Sequence, residues 1–125
     1  MTDAVQAFTL ALSPGGNPSN PVVAQCQLGW SRVGQILINF PPGCSGLVGV
    51  QVRYAGNPVY PIGPQSYFAL DSYAIPIAVT NQRPGGQWSI AGYNQDVFSH
   101  TVTAYFFFDY LASQSGLDQS GLISL

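Results

Sequence analysis

From Phe98 to Tyr110 the chain alternates with a period of two. Phe98, His100, Val102, Ala104, Phe106, Phe108 and Tyr110 fall on one side, and Ser99, Thr101, Thr103, Tyr105, Phe107 and Asp109 on the other. A strand sends successive side chains to opposite faces, whereas a helix would spread these aromatics around its circumference. Gln87–Tyr93 reads as a second strand, and Asn94-Gln95-Asp96 as the polar turn of a hairpin between the two. On this reading Trp88, Ile90, Phe98, Val102, Phe106 and Phe108 form one apolar face, with the only histidine, His100, held among them.

The rest of the chain follows the same grammar in shorter phrases. Ala7–Leu12, Val22–Trp30, Gln35–Phe40, Gly46–Tyr54, Tyr67–Leu70 and Tyr73–Val79 read as strands, with Val59–Ile62 as a short edge segment. Between them stand proline- and glycine-rich breaks such as Ser13–Pro21, Pro41-Pro42-Gly43, Ala55–Pro58 and Asn81–Gly86, which deny the backbone a regular ladder. Pro61 and Pro76 confine their segments to sheet edges or bulges, because proline donates no ladder hydrogen bond. Gly29 and Gly34 bracket a turn or bulge at Trp30–Val33. In Gly46–Tyr54, Val48, Val50, Val52 and Tyr54 face inward, and the mixed set Leu47, Gly49, Gln51 and Arg53 suits an outer surface. Helical periodicity is nowhere sustained. About eight short strands with turn signals between them predict an all-β chain folded as a single antiparallel β-sandwich. A jelly-roll-like order is preferred over an immunoglobulin-like or other Greek-key one.

At 125 residues the chain suits one domain. The sandwich is expected over residues 1–110, with 111–125 as an extended C-terminal arm in which QSGL occurs twice among Ser, Gln and Gly. Charge is scarce: 6% of residues, with no lysine and no glutamate. A free monomer usually relies on interspersed charge for solubility, so the surface is expected to pack against neighbours in a homo-oligomer. The net charge of −2 and three scattered arginines argue against nucleic acid, which needs clustered cations to replace phosphate counterions. No apolar run approaches the roughly 20 residues of a membrane span, so no membrane role is expected. The amino terminus reads as that of a chain made in a cytosol, or exported by a route the sequence does not show. Cys26 and Cys44 could pair only if their strands are neighbours, and free buried thiols are expected in a reducing cytosol.

No motif names a reaction. His100 is the one candidate base, and Asp96 four residues earlier is spaced for a shared site on a helix rather than on a strand. A hydrogen-bonded structural histidine is the commoner outcome for such a residue. Zinc would require His100, two distant cysteines and an aspartate. There is no nucleophile elbow, and Asp71, Asp96 and Asp109 sit beside turns or strand ends, where aspartate serves local hydrogen bonding. The chain is therefore expected not to be an enzyme and to need no cofactor or metal. Candidate contact residues are the aromatics Tyr60, Tyr67 and Tyr73, and Leu117, Leu122, Ile123 and Leu125 of the arm.

Two stretches carry a family likeness. Phe40-Pro41-Pro42-Gly43-Cys44-Ser45-Gly46-Leu47-Val48-Gly49-Val50-Gln51-Val52, and Trp88 to Val102 with its Trp…Tyr-Asn…Asp…His-Thr pattern, resemble small virion proteins of tailed bacteriophages. These are the short β-sandwich decoration or minor capsid proteins of the head. The resemblance spans roughly residues 35–110 and implies a jelly-roll-like domain without catalysis. It also implies oligomers, trimers among them, made in a host cytoplasm and bound to the major capsid protein lattice at the virion surface. The competing expectation is a carbohydrate- or receptor-binding sandwich of a phage tail or fibre.

Overall fold

The computed structural model describes residues 3–28, 31–62, 66–79 and 87–110. Eight strands follow in order: β1 (Asp3–Leu12), β2 (Val22–Cys26), β3 (Ser31–Phe40), β4 (Val48–Tyr54), β5 (Asn57–Tyr60), β6 (Tyr73–Ala78), β7 (Trp88–Asn94) and β8 (His100–Tyr110). They form two antiparallel four-stranded sheets, β1-β8-β3-β6 and β2-β7-β4-β5. Consecutive strands mostly change sheet, and only β4 and β5 are both adjacent in sequence and paired. This is the jelly-roll order, a double-sheet answer to the problem of exposed strand edges.

The alternation read from the sequence decides which side of each strand is buried. Val102, Ala104, Phe106 and Phe108 of β8, Val33, Ile36, Ile38 and Phe40 of β3, and Leu10 and Leu12 of β1 line the inner face of one sheet. Val48, Val50, Val52, Trp88 and Ile90 line the other. Phe106 ties the layers together: its ring meets Phe8 edge-on at 5.6 Å between centroids and Trp88 across the core at 6.0 Å. Tyr54 extends the stack, its ring 4.9 Å from that of Trp88. The thiols of Cys26 and Cys44 are buried and free.

Several expectations are corrected. β7 and β8 are not a hairpin. They belong to opposite sheets, so Gln95–Ser99 is an arch over the end of the sandwich, and Trp88 faces Phe106 rather than lying beside it. Two strands that each bury an apolar face do so better face to face across a core than side by side. Phe98 precedes β8, is 69% exposed and does not join the core. β1 is longer than Ala7–Leu12 because it pairs with β8 along its full length, from Asp3↔Asp109 to Leu12↔His100. β2 ends at Cys26, and β3 begins at Ser31, with its irregularity at Gly34, where the register against β8 shifts. Tyr67–Leu70 is not a strand; Phe68 makes an isolated bridge to Val50.

The edge assignments hold. β5 and β6 each stand at one edge of their sheets, with β2 and β1 at the opposite edges, and β6 carries Pro76 opposite Leu37. The turn at 81–86 and the arm at 111–125 lie outside the described residues.

The outer side of β4 is not a bare surface. Gly49 and Gln51 are buried there. The connection between β5 and β6 crosses it: Gln51 Nε2 donates to the Ser66 carbonyl at 2.8 Å, and Gln51 Oε1 accepts from Arg53 Nε at 2.7 Å. The Tyr93 ring fills the space a Cβ at Gly49 would need, an aromatic laid over its cross-strand glycine.

Candidate functional site

The residues with chemical potential gather at one end of the sandwich. Asn94, the last residue of β7, is fully buried, and it organises the arch through its side chain. Its Nδ2 donates to the carbonyls of Leu12 at 3.0 Å and Phe98 at 2.7 Å, while its Oδ1 accepts from the Asp96 amide at 2.9 Å. The backbone adds two ties: Gly16 N–H donates to the Asn94 carbonyl at 2.7 Å, and Gln95 N–H to that of Leu47 at 2.9 Å. Within the arch, Asp96 Oδ1 accepts from the Val97 amide at 2.7 Å, and Asp96 Oδ2 lies 2.8 Å from His100 Nε2. A bend in the chain, not a helix, brings these two side chains together.

The electrostatics are those of a latch. The His100 bond, helped by the Val97 amide, holds the Asp96 carboxyl below its ordinary value of 3.8. Cys44 lies close by, its amide donating to Asp71 Oδ1 at 2.9 Å. Burial, with the negative charges of Asp71 and Asp96, pushes its thiol up. Burial pushes Cys26 up to about 12. A nucleophilic cysteine needs the opposite, an electropositive and accessible setting that favours thiolate. Among the described residues no group of three His, Cys, Asp or Glu side chains is arranged to hold a metal ion.

A pH dependence follows. A carboxyl with a lower pKa folded than unfolded binds fewer protons in the native state. The stability it contributes is complete above its unfolded value and is lost as pH falls through the folded one. Asp96→Asn is therefore expected to lower the unfolding temperature at neutral pH. The gap to the native chain should close as pH is taken below 3.8, which thermal unfolding across a pH series would measure.

The latch also sets what the arch displays. Val97 and Phe98 are 77% and 69% exposed at its tip, on a backbone fixed by the Asn94 and Asp96 side chains. Rigid apolar tips of this kind lose little entropy when they enter a partner's pocket.

The aromatics expected to make contacts are dispersed. Tyr67 hydrogen-bonds the Pro18 carbonyl at 2.8 Å and packs edge-on against Tyr93 at 4.9 Å; burial, and after it the charge of Tyr67, push the Tyr93 phenol up. Tyr60, at the end of β5, is half-buried against the core, and Tyr73, on edge strand β6, is 55% exposed. Leu117, Leu122, Ile123 and Leu125 lie outside the described residues.

The outer face of β1-β8-β3-β6 is the other notable surface. In register across it run Val5, Phe107, Gln35 and Ala78, then Ala7, Tyr105, Leu37 and Pro76. A third row holds Thr9, Thr103, Asn39 and Ala74. None of these is charged; Arg32 and Asp109 stand opposite each other only at one end. The alternation in β8 already marks Tyr105 and Phe107 as outward. The part of Asn94 in the latch is less legible, its one signal being the Asn-x-Asp spacing that favours side chain-to-backbone turns. No protein-family model matches the chain, and comparison with curated proteins finds no match.

Proposed function

We propose that this chain is a structural virion protein, a decoration or minor capsid protein that binds an assembled capsid lattice and stabilises it. The observation that carries this reading is the surface of the jelly roll: apolar residues stand outward on a rigid arch, in a chain with 6% charged residues. Such a surface suits burial against protein neighbours. The resemblance to small phage head proteins adds to it. A protein that binds only the assembled lattice stabilises that state by mass action, and an oligomer with several contacts adds avidity. The carbohydrate-binding alternative has less support, because Tyr67 and Tyr93 are spent on each other and on Pro18.

The test is made on particles. The chain should occur in them at fixed copy number, and heads lacking it should keep their geometry yet break at lower temperature or lower chelator concentration. Phe98→Ser, which alters an exposed side chain, should leave the unfolding temperature of the isolated protein unchanged and weaken its retention on heads about tenfold or more. Heads equally stable with and without the protein would overturn the stabilising role.

A further inference from the structure

We infer that the outer face of the β1-β8-β3-β6 sheet is the contact through which two copies of this chain pair face to face. The inference deepens the structural role proposed above and rests on it for its purpose. Four strands about 4.8 Å apart and about nine residues long at about 3.4 Å each give a face of roughly 600 Å². Two such faces bury roughly 1,200 Å², the size at which specific protein contacts begin.

Charge and shape point to a second copy rather than another partner. A two-fold contact sets one patch against itself, so a charged patch would repel its own image. The rows through Phe107, Tyr105 and Thr103 carry no charged side chain, and Arg32 and Asp109 of this face stand opposite each other at one end, at the rim. Val5, Leu37, Tyr105 and Phe107 make an apolar centre, and threonines lie toward one end, the arrangement of an interface with a dry core and a polar rim. The opposite sheet is covered over β4 by the chain's own Ser66–Phe68 segment. Pro76 on edge strand β6 disfavours extension of the ladder at that edge. Sheets stacked in this way sit about 10 Å apart with strands near −30°. A three-fold assembly would need a second, head-to-tail contact elsewhere on the molecule.

Sedimentation of the purified full chain over a concentration series tests the pairing. The native protein should reach the mass of two copies. Leu37→Lys and Tyr105→Lys should each raise the dissociation constant about a hundredfold or more, and Tyr105→Phe should preserve the pair. Should a lysine variant fail to fold, hydroxyl-radical labelling of the native chain reads the same face: Tyr105 and Phe107 should be labelled less in concentrated than in dilute solution.

A native chain of one-copy mass at every concentration overturns the inference, as does a two-copy species that persists in both lysine variants. So does a one-copy chain whose Tyr105 becomes labelled only after removal of residues 111–125, which would assign the face to the chain's own C-terminal segment. Retention on heads is scored separately. A one-copy protein still bound to heads ends the pairing and leaves the virion role; a two-copy protein never found on heads does the reverse.

Discussion

Phe106→Ala should lower stability by about 4 kcal/mol, the usual cost of deleting a fully buried aromatic, and the unfolding temperature by roughly 15 °C. Phe106 is the place where three elements meet: β8 carries it, β1 offers Phe8 to its edge, and Trp88 approaches from the opposite sheet. Removing the ring opens a cavity between two layers whose backbones are held by their own ladders and cannot close in. Phe107→Ala, one residue on, alters a side chain on the outer face and, in solution dilute enough to hold single copies, should cost about 1 kcal/mol or less. Urea unfolding of both variants measures the difference. Equal losses would contradict the assignment of faces along β8.

Asn94→Ala should cost about 3 kcal/mol, because truncation leaves the Leu12 and Phe98 carbonyls and the Asp96 amide without their partner at a site largely closed to water. Asn94→Asp is expected to be worse at neutral pH. It removes both donors and sets a carboxylate against two carbonyl oxygens. The urea midpoint reports the loss, and faster hydrogen exchange at the Asp96 and Val97 amides would localise it to the arch. Release of the arch should also weaken retention on heads, since Val97 and Phe98 would then have to be ordered at the moment of binding.

Much of the fold is legible in the chain because burial in a strand obeys a two-residue rule. Ile36, Ile38 and Phe40, and Val102, Ala104, Phe106 and Phe108, are inward as their spacing demands, and Pro76 marks an edge. The pairing of strands is not legible in this way. A five-residue connection such as Gln95–Ser99 serves a hairpin or an arch equally well; the choice depends on where Trp88 and Phe106 find a partner of the right size. Gln51 shows the same limit. It is outward by alternation, yet buried, because a loop fifteen residues later in the chain closes over it. His100 is the hydrogen-bonded structural histidine its setting suggests; its partner Asp96, spaced as for a helix, reaches it because the chain bends just before the strand.

The place of β8 in the sheet has a consequence for how the protein is made. Of the eight described strands it is the last to leave the ribosome, yet it stands between β1 and β3 in the middle of its sheet. Until it arrives, β1 has no neighbour in that sheet, and the inner faces of β1 and β3 lack the strand that joins them. Synthesis therefore delivers about a hundred residues of adhesive, weakly charged chain before the sheet can close. Nascent chains ending before His100 should be soluble only with chaperone help, whereas chains that include Tyr110 should acquire protease resistance in a single step.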